Sequence, residues 1–306
     1  MDKDSFELQP TTPYNFDLQW KFYSSLKEPQ PEIYKDGIWK RAFKIGDKLV
    51  PVRVVSVGMV EKPKLKVDIF SKIDTKERAY LLEKIADIFK LRDDLRALYD
   101  FMEQDRMLHK IKRELYGLRP PGIGASIFEG TIRVIIQQQI SLPVAYIITG
   151  TLVRRFGEKI EINGEPYYDF PSPKVLASAD EKELRKCKLS RQKASYIKEL
   201  ALKVADGYDF EKIRKMNNEE AIEELMKFKG IGMWTAKLIL ITTLERMDLC
   251  VPDDLGARKA ISHFYFDGKL QSGDTIRKFT ERWDEFKGWI IYYLICAYNM
   301  ENRKKV

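Results

Sequence analysis

A buried helix bracketed by a glycine turn and a carboxylate pair is the feature that most constrains the fold of this chain. The segment "TAKLILITTL", residues 235–244, is apolar on nearly all of its faces, which predicts a helix inside a domain core. Before it come Gly230 and Gly232, which permit the positive φ angles that a tight connection needs. One helix ends near Phe228 and the next starts by Trp234. The sequence therefore predicts a helix–hairpin–helix whose second helix is buried.

The start of the second helix is a candidate anion-binding site. The backbone N–H groups of Gly230, Gly232 and Met233 lie there, together with the positive end of the helix dipole. Lys227 and Lys229 add positive charge beside it, so a phosphate of a DNA strand would fit. An ordinary αα-hairpin needs the same glycines to turn, and the turn alone favours that simpler interpretation.

The chain leaves the buried segment at "CVPDDLGARKAIS", where another helix start is predicted. Pro252 suits the first turn of a helix, and Asp253 and Asp254 complement the positive end of its dipole. Taken alone, both aspartates are interpreted as helix caps. The order of glycine turn, buried helix and carboxylate pair is what calls for a functional explanation.

The chain divides into two parts that differ in secondary structure. The first part contains four β-type segments, with clear alternation of apolar residues in the last of them, and then a helical pattern, "KERAYLLEKIADIFKL". From about Leu95 onward nearly every segment has helical spacing. The β-type segments are "FDLQWKFY", "GIWKRAFKIG", "KLVPVRVVSVG" and "KLKVDIFS". We predict an α+β fold, with an antiparallel-sheet α/β domain over residues 1–105 and a larger all-helical domain with the hairpin over residues 106–306.

Composition narrows the chemistry. The 306 residues carry a net charge of +8 and a pI of about 9.1, a mildly basic balance that is compatible with nucleic acid but is weak evidence alone. Cys187, Cys250 and Cys296 are far apart, and only two histidines are present. This spacing fits neither a disulfide framework nor a zinc or iron–sulfur site, so no metal site is predicted.

The termini and apolar segments bear on the location of the protein. The acidic start "MDKDSFELQP" has no pattern of a secretory signal, and "GWIIYYLICAY" has about half the length of a membrane span. A cytoplasmic protein without a membrane partner is expected. The abundance of Lys, Glu and Arg, with few Asn and Gln, indicates a thermophilic source.

Four motifs in order carry a resemblance to a known family. They are "FEGTIRVIIQQQIS", "FPSPKVLASAD", "GIGMWTA" and "VPDDLGARK". Together they resemble the helix–hairpin–helix DNA glycosylases of the HhH-GPD superfamily, whose signature is this hairpin followed by a Gly/Pro-rich loop and an aspartate. The chain is most similar to the 3-methyladenine DNA glycosylase II type. The N-terminal α/β segment matches the extra domain of that type, so the resemblance covers most of the chain.

The resemblance assigns the catalytic role to the second carboxylate of the pair, Asp254. Cleavage of an N-glycosidic bond builds positive charge on the sugar, and a nearby carboxylate stabilises this oxocarbenium-like state. A helix start favours the ionised form of such a carboxylate through the dipole and N–H donors. Asp253 is then expected to act mainly as a structural cap.

One departure from the family pattern bears on the type of reaction. Family members that also cut the DNA strand carry a lysine in the second hairpin helix, as the amine for a Schiff base. The matching position here is Trp234, and Lys237 lies three residues further on. The family's iron–sulfur branch also has a C-terminal cysteine quartet, which this sequence lacks. The resemblance therefore implies a monofunctional enzyme that leaves an intact abasic site.

Chemistry on a base requires that the nucleotide leave the duplex stack and enter a pocket. The resemblance places Trp234 and Phe22 in an aromatic pocket, with Tyr292 and Tyr293 close to the position of a second family tryptophan. That position is Ile295 here, which leaves the substrate range open. For Phe22, Tyr292 and Tyr293, packing in the core is an equally good interpretation.

The gap left by the base needs a wedge, and the DNA backbone needs contacts that position the protein. Gln139, in "IIQQQIS", falls at the family's wedge position, where glutamine could also hydrogen-bond the orphaned partner base. The simpler interpretation is a helix-terminal side chain that bonds its own backbone. The residues expected to bind phosphate are Lys229, Gly230, Gly232, Met233 and Thr235.

The resemblance implies a base-excision repair glycosylase that acts on double-stranded DNA containing a damaged base. Alkylated purines are favoured, since electron-poor, cationic bases stack on aromatic rings and leave readily. No cofactor is implied, although the hairpin carbonyls could hold a monovalent cation. A monomer near the nucleoid of a prokaryote is expected. Two alternatives stay open: a glycosylase for oxidised or deaminated purines, with or without lyase activity, and a non-catalytic DNA-binding protein.

Overall fold

The computed structural model describes residues 4–21 and 28–303 of the chain. Its N-terminal part contains five strands: β1 (Asp4–Leu8), β2 (Ile33–Lys35), β3 (Ile38–Ile45), β4 (Lys48–Ser56) and β5 (Leu65–Ile69). All neighbouring strands are antiparallel and follow the order β1-β5-β4-β3-β2. The predicted antiparallel sheet is therefore confirmed.

The first β-type segment of the sequence, "FDLQWKFY", is not a strand where the structure describes it. It begins as a short helix, α1 (Phe16–Trp20), because the side chain of Asn15 accepts the N–H of Leu18 at 3.0 Å and caps it. The later part of the segment, from residue 22, lies outside the described residues. The edge position next to β5 is taken by β1 instead, a strand that the sequence pattern did not indicate.

The predicted helix after β5 is confirmed as α2 (Thr75–Phe89), which starts with a reciprocal capping box between Asp74 and Glu77. Its last residue, Phe89, packs its ring 4.9 Å from that of Trp39 on β3. Trp20 of α1 lies 5.7 Å from the same Trp39 ring. The sheet, α1 and α2 thus share one aromatic core, which is the N-terminal unit of the fold.

The rest of the chain is mainly helical, as predicted. Two short 3₁₀ segments, at Phe210–Lys215 and Glu281–Phe286, interrupt the series of α-helices. The helices are α3 (Arg96–Met102), α4 (Arg106–Glu114), α5 (Ile127–Gln137), α6 (Leu142–Phe156), α7 (Pro173–Ser178), α8 (Glu181–Arg185), α9 (Arg191–Ala205), α10 (Asn218–Met226), α11 (Met233–Leu244), α12 (Leu255–Tyr265), α13 (Gly273–Thr280) and α14 (Lys287–Arg303).

The helical part also contains a strand pair, so the expectation of an all-helical segment is corrected here. The strands β6 (Lys159–Ile162) and β7 (Glu165–Tyr168) pair in an antiparallel hairpin. Asn163 and Gly164 connect them with φ angles of 51° and 79°, the left-handed pair that favours Asn-Gly in a two-residue hairpin. The Asn-Gly dipeptide between alternating residues was the signal that would have predicted it.

The helices build two separate cores. The hairpin core, formed by buried apolar residues of α5 to α11, extends from Ile127 to Leu240 and includes the predicted buried helix. The terminal core combines α3 and α4 with α12 to α14. Its first buried residue is Leu95, so the helical packing begins before the boundary expected at residue 105. The chain therefore passes into the terminal core, through the hairpin core and back again after α11.

A buried network of charges joins the sheet to the hairpin core. Arg41 on β3 donates to both carboxylate oxygens of Glu129 on α5, at 3.1 and 2.7 Å, and to Asp169 at 2.8 Å. Arg133, one turn further along α5, pairs with Glu129 at 3.3 Å and with Glu32 at 2.8 Å. All five side chains are buried or nearly so. The loss of one partner would leave a charge unpaired in the interior.

A second polar cluster joins the end of α2 to the end of α11. Lys90 and Glu245 are the left-handed C-caps of these helices, and Lys90 Nζ lies 2.9 Å from a Glu245 carboxylate oxygen. One buried oxygen of Asp93 and one of Glu245 receive no hydrogen bond from an N–H or a hydroxyl group of the described residues. Burial, followed by the hydrogen bond and charge of Glu245, raises the pKa of Asp93 to about 8. Asp93 is therefore mainly protonated at neutral pH.

We expect Asp93→Asn to remove a pH dependence from the stability of the protein. Between about pH 4 and 8 the folded chain holds a proton on Asp93 that the unfolded chain has lost, so the free energy of unfolding falls as the pH rises. Asparagine resembles the protonated carboxyl and does not titrate. In thermal denaturation at pH 5, 7 and 9, the melting temperature of the variant should rise relative to that of the wild type with each step.

Asp94→Asn is the matched control, because Arg96 hydrogen-bonds this exposed neighbour and lowers its pKa to about 2. Its folded pKa lies below the unfolded value, so this carboxylate contributes stability above about pH 4. The melting temperature of the control variant should not rise relative to that of the wild type at high pH. A difference in melting temperature between wild type and Asp93→Asn that stays constant across the whole pH range would contradict the raised pKa of Asp93.

Candidate active site

The glycine turn lies between α10 and α11 and uses its two glycines differently. Gly230 has a φ of +82°, and a Cβ added there would lie 2.1 Å from Cδ2 of Tyr196 on α9. Gly230 is thus required both by backbone conformation and by space. Gly232 is the N-cap of α11 with a φ of −95°, so the expectation of a positive φ at this residue is wrong. A Cβ at Gly232 would meet nothing within 4 Å.

The N-terminus of α11 presents free backbone donors. Its N-cap is Gly232, which has no side chain to accept a hydrogen bond, and the first helical bond is donated by Ala236 to the oxygen of Gly232 at 2.9 Å. The N–H groups of Met233, Trp234 and Thr235 come before that bond. By contrast, Asp, Ser or Asn side chains cap most of the long helices, namely α2, α4, α5, α9, α10, α12 and α13. The donors and dipole of α11 are available for an anion.

The lysines beside the hairpin already have acidic partners. Lys229 Nζ lies 2.6 Å from a carboxylate oxygen of Glu199 on α9, and Lys227 Nζ lies 2.6 Å from Glu224 on α10. The hydrogen bond from Lys229 is the largest cause of a lowered pKa for Glu199. Both lysines are exposed, and exposed pairs are weak. A phosphate would therefore compete with these carboxylates for the lysines.

Thr235 does not offer its side chain to solvent. It is buried, and its hydroxyl oxygen accepts a hydrogen bond from Gln138 Nε2 at 2.9 Å. The phosphate contact predicted for Thr235 stays a prediction, and the group that Thr235 offers to an anion is its backbone N–H at the start of α11. Met233, next to the N-cap, is half exposed on the same end of the helix.

The predicted wedge residue projects from the connection between α5 and α6. Gln139 is exposed and left-handed, with a φ of +58°. Its side chain forms no hydrogen bond with any described residue, so the simpler interpretation of a self-bonded helix end lacks support. Gln139 and Trp234 both line a cleft of about 460 Å³, which we call the wedge cleft. Gly230, Thr235 and Lys193 contribute to the same cleft.

Asp254 lies at the point where the chain passes from the hairpin core to the terminal core. It is the N-cap of α12, and its Oδ1 accepts the N–H of Ala257 at 2.9 Å. Its Oδ2 makes no hydrogen bond or ion pair within the described chain. Asp253 is not the cap that the sequence analysis expected: its side chain is exposed and lies 3.8 Å from Arg277. The carboxylate of Asp254 thus caps α12 with one oxygen and leaves the other oxygen free within the described chain.

The aromatic residues predicted for a base pocket lie in different parts of the structure. Trp234 is half-buried and faces the wedge cleft. Tyr293 is fully buried in the terminal core, where its hydroxyl donates to the carbonyl of Leu118 at 2.7 Å, so core packing is the interpretation that its position supports. Tyr292 is partly buried beside the same core. Phe22 lies outside the described residues.

The structure therefore brings some predicted residues together and leaves others apart. Gln139, Gly230, Trp234 and Thr235 surround one cleft, whereas Asp254 is not among the residues that line it. The sequence analysis missed Gln138 and Lys193, which also line the wedge cleft. The available signal was a run of three glutamines directly after an apolar helix face, "VIIQQQ".

The described residues 4–21 and 28–303 contain no group of three or more His, Cys, Asp or Glu that could hold a metal ion. In the same ranges, none of the helices combines the length and the apolar character that a membrane crossing requires.

Two family models match this chain. Residues 132–285 match the HhH-GPD superfamily base excision DNA repair protein, and residues 5–125 match the AlkA N-terminal domain. A DNA-3-methyladenine glycosylase of Bacillus subtilis is 32% identical over 219 residues, which are 71% of this chain and 72% of that protein. DNA-3-methyladenine glycosylase 2 of Escherichia coli is 28% identical over 58% of this chain and 60% of its own length.

Solved structures agree with these matches. The 3-methyladenine DNA glycosylase from Archaeoglobus fulgidus superposes with a TM-score of 0.84 and 33% identity, covering 95% of this chain and 97% of its own. An 8-oxoguanine glycosylase/lyase of Clostridium acetobutylicum bound to DNA has a TM-score of 0.72 at 21% identity, a likeness of fold alone. The resemblance seen in the four motifs is confirmed. The chain belongs to the HhH-GPD superfamily of base excision DNA repair proteins.

Proposed function

We propose that this protein is a monofunctional DNA glycosylase that hydrolyses the N-glycosidic bond of alkylated purines, with Asp254 as its catalytic residue. The observation that carries the proposal is a carboxylate with one free oxygen at the passage between two helical cores, directly after a hairpin with free amides. The relatives named for 3-methyladenine support the substrate class. Double-stranded DNA with a damaged base is the proposed partner, bound by a monomer.

The proposed reaction divides the work among the elements of the site. The amides of α11 hold a phosphate of the damaged strand, which positions the duplex without reading its sequence. Gln139 fills the gap that the flipped nucleotide leaves, and Trp234 offers an aromatic face to the electron-poor base. As the bond from C1′ to the base breaks, the free oxygen of Asp254 stabilises the positive sugar. The electrons of that bond stay with the cationic base, which leaves as a neutral molecule. Water then adds to C1′ and loses a proton to the solvent.

The hairpin carbonyls are the oxygen ligands that a monovalent cation takes. The carbonyl of Gly230 is already used, because it accepts Gln138 Nε2 at 2.8 Å. The carbonyls of Met226 and Lys229 accept no hydrogen bond from described residues, and both residues line the open surface around the hairpin. A cation there would strengthen the positive end of α11 toward the phosphate.

The decisive experiment is a panel of duplexes, each with one lesion, scored for base release in single turnovers. Release of alkylated purines supports the proposal. A preference for oxidised or deaminated purines would show that the proposed substrate class is wrong. Binding of every duplex without release of any base would show that the protein is a non-catalytic DNA-binding protein.

Asp254→Asn should abolish most catalysis and preserve the fold. Asparagine is as good an N-cap as aspartate and keeps an oxygen for the N–H of Ala257, but it removes the charge beside the sugar. We expect single-turnover excision to fall by about two to three orders of magnitude. DNA binding, measured by fluorescence anisotropy, should stay within a few-fold of wild type.

Asp254→Ala provides the comparison, because it loses the cap as well as the charge and should cost about 1 kcal/mol of stability in addition. Near-normal excision by Asp254→Asn, at a melting temperature like that of wild type, would remove Asp254 from the catalytic role.

Gly232→Ala should weaken DNA binding while the free protein stays intact. The free structure has open space around a Cβ at this position and a φ that alanine adopts, so stability should change by less than about 1 kcal/mol. A methyl group at the N-cap would obstruct a phosphate at the α11 amides. We expect about tenfold weaker binding to damaged and undamaged duplexes alike.

Gly230→Ala tests the same turn in the opposite way, because its Cβ would clash with Tyr196 and its φ is left-handed. The main effect of the Gly230→Ala substitution should therefore be a loss of folding stability. Unchanged DNA affinity in Gly232→Ala would exclude the hairpin amides from the interface.

The wild-type enzyme should not nick DNA. Schiff-base chemistry needs an amine beside the sugar, and Trp234 occupies the position that supplies it in the bifunctional branch. The abasic product should stay intact until alkali is added, and borohydride should trap no protein–DNA adduct. Efficient trapping would contradict a monofunctional enzyme, and loss of the adduct in Lys237→Gln would identify that lysine as the nucleophile.

A further inference from the structure

We propose that Gln138 is a positioning residue that links the phosphate-binding hairpin to the wedge, so that engagement of a DNA phosphate sets the place of Gln139. The inference rests on the proposed function of the hairpin and of Gln139. It assigns to Gln138 no contact with DNA or with the base.

The side chain of Gln138 joins the turn of the hairpin to the helix that follows it. Its Nε2 donates to the carbonyl of Gly230 at 2.8 Å and to the hydroxyl of Thr235 at 2.9 Å. Gly230 lies within the turn, and Thr235 lies in the first turn of α11. A single amide group therefore uses both of its protons on the hairpin, and these neighbours fix the direction of the side chain.

The backbone of Gln138 is held by a residue of another helix, α9. Lys193, near the start of α9, donates to the carbonyl of Gln138 at 2.6 Å and to that of Ile136 at 2.8 Å. These are terminal carbonyls of α5, where a cation also meets the negative end of the helix dipole. Withdrawal from water lowers the pKa of Lys193, in keeping with an ammonium seated against the helix end. The residue that follows this clamp is Gln139, the exposed, left-handed one.

Close packing prevents α5 from moving along α11. At the far end of the two helices, a Cβ added to Gly130 would lie 2.2 Å from the hydroxyl of Thr243. Nearby, the N–H of Ile123 donates to the carbonyl of Thr242 at 3.0 Å. The helices are thus fixed at the end with Gly130, and Gln138 fixes them at the end with the hairpin. A shift of the hairpin toward a phosphate would be transmitted to residue 139.

Gln138→Met is the test variant, because methionine keeps the length of the side chain and removes both donors. Gln137→Met is its matched control: the residue is adjacent, of the same type, and its side chain makes no hydrogen bond with described residues. Base release is measured in single turnovers on two duplexes. In one duplex the alkylated purine is paired with its partner base. In the other it lies opposite an abasic site, so no base pair has to be opened.

The expected result is a loss that depends on the substrate. Gln138→Met should release the paired lesion about tenfold more slowly than wild type, the scale of one or two lost hydrogen bonds. It should be within about threefold of wild type on the unpaired lesion, and Gln137→Met should match wild type on both. In a protein that already carries Gln139→Ala, adding Gln138→Met should slow base release little further, because the two residues act through one step.

Other outcomes separate the possible failures. Equal losses on both duplexes, or additive losses with Gln139→Ala, would mean that Gln138 only stabilises the hairpin, and the positioning role would fall. No loss in Gln138→Met on the paired lesion would also overturn it. If the wild type itself releases no base from either duplex, the proposed function fails, whatever the variants do.

Discussion

The bidentate contact between Arg41 and Glu129 is the interaction on which the rest of the structure depends. It is made between β3 and α5 in an interior that excludes water, and Arg133 and Asp169 complete it. Such a network gives geometry more than net stability, because desolvation offsets much of the attraction between the charges. Its directional bonds fix α5 against the N-terminal sheet. The other end of α5 carries the connection with Gln139, so the sheet helps to orient that connection through α5.

The path of the chain explains where the carboxylate lies. Residues of the terminal core come from both sides of the hairpin core in sequence, so the chain must cross between the cores twice. The second crossing follows α11 and ends at Asp254, which starts α12. A helix start at a boundary between two packed units is both rigid and accessible. This combination lets the side chain of Asp254 stabilise the fold with one oxygen and leave the other free for the catalytic role that we propose.

The sequence predicted what depends on local pattern and missed what depends on distant partners. Glycine, proline and aspartate located the hairpin and the start of α12 because they act within a few residues. The bond of Arg41 to Glu129 joins residues that are 88 positions apart, and no periodicity reports it. The four-residue spacing of Glu129 and Arg133 in an otherwise apolar helix was an unused hint of a buried pair. The division into two helical cores, and the packing of Tyr293 inside one of them, also required the tertiary fold.

The acidic partners of the hairpin lysines have a consequence for how the protein searches DNA. Binding of a phosphate near Lys229 or Lys227 replaces an internal pair with Glu199 or Glu224, so part of the electrostatic gain is cancelled. The displaced carboxylate must then attract a cation from solution, which reduces the net release of ions that drives non-specific affinity. If these lysines contact DNA as proposed, we expect their contacts with intact duplex to be short-lived and tolerant of salt. A protein that must inspect very many normal base pairs for each damaged one benefits from this rapid exchange.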